Sequence, residues 1–228
     1  GRGTATGRAT TNARKGPTPE GPMTTATAYE LPPDIPRSDY REAAQVLAQA
    51  FTADPVWQEL KPRWAKRATA ALYWVFRCEI AVAAATGGHV QAIRNRAGAI
   101  TAAAIAYTRT RPGFPLWTIL LRIPAMFLLG FTSTVRAARM AFAAEAHQPD
   151  GPHFYAYYAG SRDVGGGAAL MKRLMKAGAA RQLPVYGEAK SEDMLEILRI
   201  LRWDIAEPID IGYGRSLTPA TFHPGEVK

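Results

Sequence analysis

Cysteine is almost missing from this chain: Cys78 is the only one in 228 residues. No internal disulfide can form and no cysteine metal cluster can assemble, so a reducing cytoplasm is the expected compartment. Histidine is nearly as scarce. His89, His147, His153 and His223 are scattered without metal-ligand spacing, and no metal is expected. Acidic residues are also short, with nineteen Asp and Glu against twenty-eight Lys and Arg, a formal charge of +9. That balance favours acidic partners such as nucleic acid, anionic lipid, a phosphate-bearing cofactor or an acidic protein. The basic residues show little aromatic interleaving and no nucleic-acid module, so nucleic acid is not the expected partner. The start lacks the apolar stretch of a secretion signal. Residues 1–28 are rich in Gly, Thr, Ala and Pro, with no large apolar residue before Met23, a plausible natural start. They are expected to form a disordered tail. Arg2, Arg8, Arg14 and Lys15 against Glu20 put +3 of the charge there.

What is present is a core. The chain is 47% hydrophobic, with five Trp, nine Tyr and eight Phe, which suits one domain over 29–228. Ser38 or Asp39 is a suitable N-cap for a helix whose Ala43, Ala44, Leu47, Ala48 and Phe51 recur at helical spacing. Asp54-Pro55 breaks that helix. A second helix is expected from Pro62 to about Ala85, ended by Gly87-Gly88. His89–Arg94 and Ala99–Thr108 read as strands joined by Asn95-Arg96-Ala97-Gly98, although alanine is a poor strand former. Residues 115–146 are the most apolar. Arg122 interrupts them at a cost of roughly 2.5–3.5 kcal/mol at a bilayer centre, and Pro124 follows. A buried or lid helix is expected before a membrane-surface helix, and no membrane span is expected. Downstream, His153–Ala159 is an aromatic strand, Gly165-Gly166-Gly167 leads a helix to about Arg181, and Pro184–Ala189 is a strand. Glu192–Arg202 is a helix and Trp203–Ile211 is extended again. Strand, glycine turn, helix and strand form a βαβ unit, so the class is α/β or α+β with a mixed sheet.

A glycine turn opening a helix presents free backbone N–H groups backed by the helix dipole, a place for phosphate. Gly165, Gly166, Gly167 and Ala168 qualify, with Arg162 close enough to add charge. The run is not a P-loop, because no Lys-Ser or Lys-Thr follows it, and it is not the dinucleotide fingerprint. Arg162-Asp163-Val164-Gly165-Gly166-Gly167 resembles the pyrophosphate cradle of the GNAT superfamily, the acyl-CoA-dependent N-acyltransferases. Tyr157-Tyr158-Ala159-Gly160-Ser161 resembles that family's splayed central strand. Leu183–Ala189 with Ser191-Glu192, and Ala50-Phe51 with Asp54-Pro55, are similar to an actinobacterial branch. The resemblance spans about 29–211. It implies a GNAT-like sheet, with an apolar helical insertion between the third and fourth strands. Its donor would be acetyl-CoA or another acyl-CoA, lying along Tyr158, Ala159, Gly160 and Ser161 with its phosphates on Arg162 and Gly165–Ala168. The chain departs from the branch in three ways. About four residues are missing between Ser161 and Arg162. Met194 and Leu198 replace an Asn and a Tyr, the Tyr being the usual proton donor to the leaving thiolate. Arg202-Trp203 replaces the Gly-Phe that closes the helix.

Acyl transfer to an amine requires a base and a stabilised thiolate. Glu188, at a strand end, is a candidate base or water-orienting group. Tyr157 and Tyr158 alternate faces on the central strand, so one of them should face the acyl site. His153 is a candidate proton shuttle as well as a structural histidine. No nucleophilic triad is readable around Ser161, and Cys78 reads as core. The expected activity is transfer of an acyl group, most simply acetyl, from a pantetheine thioester to a small-molecule amine. A phosphopantetheine on an acidic acyl carrier protein suits the shortened loop and the basic surface as well as CoA does. The alternative is a repurposed GNAT fold, running cyclisation or hydrolysis or binding a ligand without catalysis.

Overall fold

The computed structural model describes residues 34–62, 65–110, 113–163 and 165–225; the expected tail lies outside them. In chain order the elements are α1 (Tyr40–Ala50), α2 (Pro55–Leu60), α3 (Ala65–Thr86), β1 (His89–Arg94) and β2 (Ile100–Arg109). Then come α4 (Ile119–Leu129), α5 (Phe131–Glu145), β3 (His153–Ser161), α6 (Gly166–Ala180), β4 (Val185–Ala189) and α7 (Glu192–Ile200). The chain ends with β5 (Asp204–Ile205), β6 (Ile209–Gly212) and β7 (Arg215–Phe222). The sheet runs β1-β2-β3-β4-β7-β5, with β6 on β7. All pairs are antiparallel except β3 with β4, which α6 connects as the βαβ unit.

Strand β2 explains the alanines. It is buried along nearly its whole length, because helices cover both faces of the sheet. Ala103, Ile105 and Tyr107 meet α1 and α3 through Leu47, Phe76 and Ile80. Ala102, Ala104 and Ala106 meet Leu170 and Leu174 of α6. Small side chains let both helix layers approach the strand, so packing overrides the weak strand propensity of alanine. Each fully buried Leu, Ile or Phe contributes roughly 1.5–3 kcal/mol.

Local chemistry sets the ends. α1 ends at Ala50, ahead of Asp54 and Pro55, which start α2. The Asp54 carboxylate accepts the Trp57 N–H at 2.8 Å, and Pro55 fills a first-turn position that needs no N–H. Ser191 caps α7 through the Met194 N–H at 3.4 Å. Asp39 stands at the N-cap position of α1, but its side chain makes no capping hydrogen bond. A short 3-10 turn precedes that helix, and Asp39 instead pairs with Arg94.

Three other expectations change. Trp203–Ile211 is two short strands separated by an irregular stretch, and β7, which no sequence signal marked, pairs with β4, β5 and β6. The apolar segment follows β2 and precedes β3, the second and third strands described. It is two helices broken at Gly130 (φ +81°), which bury Ala125, Met140 and Ala144 and leave their outer side chains exposed. Among the described residues, one helix, α3, is long and apolar enough to cross a membrane by length and composition. Its residues Leu72, Phe76, Ile80 and Val82 lie in the core.

Candidate active site

Strands β3 and β4 pair only over Phe154–Ala156 and Val185–Gly187. Beyond that, β3 follows β2 as far as Ser161, while β4 follows β7 to Ala189. The two strands part, leaving the β4-facing edge of Tyr157–Ser161 without a strand partner among the described residues. A cavity of ≈ 450 Å³ fills the gap, lined by Tyr157–Ser161, Gly187–Ser191, Phe51, Asp54, Met194 and Leu198. An extended ligand carrying amides can pair with such an edge as an added strand would.

A bulge places the tyrosines. Ile105 pairs with Tyr158 and Ala106 with Ala156, so Tyr157 is the extra residue on β3. The expected alternation therefore fails. Tyr157 and Tyr158 pack on the same side of the sheet, with ring centroids 4.4 Å apart. Burial raises both hydroxyl pKa values, and the charge of Glu79 adds to this, so both phenols stay protonated near neutral pH. A hydrogen bond with Tyr157 partly offsets the rise at Tyr158.

Glu188 lines the cleft at the end of β4. The Tyr155 hydroxyl donates to its carboxylate at 3.0 Å. Burial pushes its pKa up to about 7; hydrogen bonds from Tyr155 and Tyr186 and the charge of Lys190 oppose that rise. A carboxylate poised near neutrality can take up a proton from an amine and release it again. His153 does not line the cleft. It sits 1% exposed at the far end of β3, with its Nδ1 3.0 Å from the Gly151 carbonyl. Burial, helped by the charge of Arg109, lowers its pKa, so it is neutral near pH 7.

Ser161 joins the cleft to the glycine turn. Its Oγ donates to the Asp163 carbonyl at 2.8 Å, and a Cβ added to Gly166 would stand 2.2 Å from that oxygen. Gly165 takes φ +84° ahead of α6, a conformation that side chains resist. Arg162 is turned onto β2: its N–H reaches the Thr101 carbonyl at 3.0 Å and its Nη2 the Ile100 carbonyl at 2.6 Å. The cleft lining thus includes Tyr157, Tyr158, Ala159, Gly160, Ser161 and Glu188. Arg162 and Gly165–Ala168 stand next to its Ser161 end and do not line it.

Sequence reasoning missed Lys190. Its ammonium lies 5.0 Å from the Phe51 ring centroid and 5.7 Å from that of Tyr158, and 3.8 Å from the Asp54 carboxylate. The residue lies between two stretches that were singled out, but only the strand separation shows it lining a cavity. Leu198 and Met194 also face the cleft, so the wall offers aliphatic and thioether groups where the resemblance implies a phenol and an amide. Among the described residues, no three His, Cys, Asp or Glu side chains converge as metal ligands would.

No protein-family model matches the chain, and no curated protein matches it. Solved structures do. A histone acetyltransferase and related acetyltransferase of Corynebacterium glutamicum is 22% identical, with 85% of this chain and 95% of that one covered, at a TM-score of 0.63. Arylalkylamine N-acetyltransferase 2 of Aedes aegypti is 9% identical, covering 85% and 98%, at a TM-score of 0.59. The C-terminal condensation domain of Ebony, in complex with beta-alanyl-dopamine, is 10% identical, covering 83% and 96%, at a TM-score of 0.51. The chain has the GNAT fold.

Proposed function

We propose that this protein transfers an acyl group from a pantetheine thioester to the amine of a small molecule in the cytoplasm. The observation that carries this is the parting of β3 from β4, which leaves Tyr157–Ser161 with a free edge along a cavity. A structural neighbour named as an arylalkylamine N-acetyltransferase supports the reading at the level of fold.

The donor supplies an acyl carbonyl already activated as a thioester. The backbone of Tyr158–Ser161 holds the amides of its arm. The N–H groups opening α6 at Gly165–Ala168 hold phosphate, with Arg162 adding positive charge from its perch on β2. Glu188 takes the proton that the amine loses as its nitrogen bonds to the acyl carbon. The sulfur leaves with the electrons of the C–S bond. Tyr158, backed by Tyr157, donates the proton the sulfur needs in place of the phenol that Leu198 does not supply; solvent returns a proton to Tyr158 as Glu188 releases its own. His153, outside the cleft, takes no step.

Calorimetry with CoA, acetyl-CoA and 4′-phosphopantetheine tests the donor. Acetyl-CoA binding weakened about ten-fold by Arg162→Ala, a loss near 1.4 kcal/mol, fits the cradle. Comparable binding of 4′-phosphopantetheine would favour a carrier-protein donor. No binding of any of the three by folded protein would overturn the reading. The buried aliphatic Leu198 supports a second reading, a repurposed cleft that binds a ligand or runs cyclisation or hydrolysis. Thioester loss without amide formation in the presence of amines would select it.

A further inference from the structure

The outer face of α4 is apolar, and among the described residues nothing packs over it. Leu116, Leu120, Ile123 and Phe127 recur at helical spacing with exposures of 83%, 68%, 52% and 76%, and Phe131 continues the row past Gly130 at 85%. The inner face is occupied. Ala125 is buried, and Leu128 and Leu129 pack against the core that holds Tyr157 and Tyr158. The only charge in α4 also turns inward: Arg122 grips Glu79 through two hydrogen bonds of 2.7 and 2.8 Å. The residue that argues against a membrane span in the sequence therefore leaves the outer face uncharged. A row of this kind exceeds the scattered apolar residues normal on a protein surface.

Charge is distributed just as unevenly. Residues 61–144 contain twelve Lys and Arg and one acid, Glu79, which is buried in its pair with Arg122. The rest of the chain has sixteen basic and eighteen acidic residues. Arg67 lies over the Phe127 ring, and Arg139 is exposed on α5 between Phe131 and Phe142. Pairing this face with that of a second copy would set Arg67 and Arg139 against the same cations. Neither the cleft nor the cavity between α1, α2 and α3 is lined by the apolar side chains of this row, which stand out from the surface with more than half of their area exposed.

We propose that this face docks on an anionic lipid bilayer. Protruding aliphatic and aromatic side chains with Trp117 beside them, flanked by Arg67 and Arg139, match a helix seated in the headgroup region. Eleven residues span about 16 Å, far short of the roughly 30 Å of bilayer hydrocarbon, so α4 lies in the interface plane. The inference does not depend on the chemistry of the cleft.

The test is flotation of the full chain with vesicles of equal phosphatidylglycerol and phosphatidylcholine, against pure phosphatidylcholine. Partitioning should favour the anionic vesicles by at least about ten-fold and weaken in 0.5 M salt. Leu120→Ser, Ile123→Ser and Phe127→Ser together should reduce it by about 100-fold, and Arg139→Glu alone by several-fold. Brominated anionic lipid should quench the wild type more than Trp117→Phe, which keeps the test decisive should the triple variant misfold. Three results would overturn the proposal. One is equal or absent binding to both vesicle types. The others are a dimer dissociated by the triple variant, and an acidic carrier protein, rather than vesicles, whose binding the triple variant abolishes.

Discussion

Replacing Glu188 with Gln separates the proposed chemistry from mere burial. The wild-type carboxyl is displaced from an ordinary value of 4.5 to about 7, which corresponds to roughly 3 kcal/mol at 1.36 kcal/mol per pH unit. Its folded pKa lies above its unfolded one, so the folded chain binds more protons between these values. The stabilisation from protonated Glu188 is then fully present below about 4.5 and is lost as pH rises through about 7. Subtracting the stability of Glu188→Gln from that of the wild type by urea melts at several pH values should show that decline. The catalytic limb runs the other way, because a base must be ionised. As a base, Glu188 should make kcat/KM fall about fifty-fold from pH 7 to pH 5, and Glu188→Gln should lower it by about 10² or more at pH 7. An acid limb due to the acceptor amine would survive the substitution; the limb near 7 should not. An unchanged profile in Glu188→Gln, or a stability difference flat across this range, would refute the reasoning.

Three more predictions follow from the geometry. Gly166→Ala forces a Cβ against the Ser161 hydroxyl, whereas Gly167→Ala meets only the Ile197 methyl at 3.9 Å. The first should cost about 1–3 kcal/mol in thermal melts and weaken donor binding, and the second should do little of either. Leu198→Tyr with Met194→Asn places a phenol in the cleft wall. A gain in acetyl transfer of about ten-fold or more in a thiol-release assay would show that proton supply limits the native cleft, and no gain would leave that step with Tyr157 and Tyr158. Glu79→Gln strands Arg122 beside a neutral amide. A loss of about 3 kcal/mol or more, seen as a fall in Tm of about 6–12 °C, is expected together with faster proteolysis within α4.

Much of the fold was legible because its signals are local. Helical spacing revealed α1 and α3, and the glycine turn between strand patterns revealed the βαβ unit. The residues resembling a splayed strand do lie where β3 leaves β4. What stayed hidden depended on distant partners. Strand β7 has no strong alternation of its own and exists because β4, β5 and β6 offer it edges. Tyr157 and Tyr158 share a face because of a mismatch in pairing with β2, which β3 does not encode alone. Arg122 looked like a charge breaking an apolar run; α3 supplies the carboxylate that turns it inward.

The sequence by itself determined the covalent and local facts. It ruled out a disulfide, put glycines where a left-handed φ is needed, gave α4 its apolar residues and placed a carboxylate at the end of β4. Only the tertiary structure decided what those residues face. It took Glu188 out of water and so raised its pKa against the opposing hydrogen bond from Tyr155, aimed Lys190 across Phe51, and left one side of α4 in solvent. Solvent exclusion and electrostatic coupling depend on which surfaces meet, and those surfaces lie tens of residues apart along the chain.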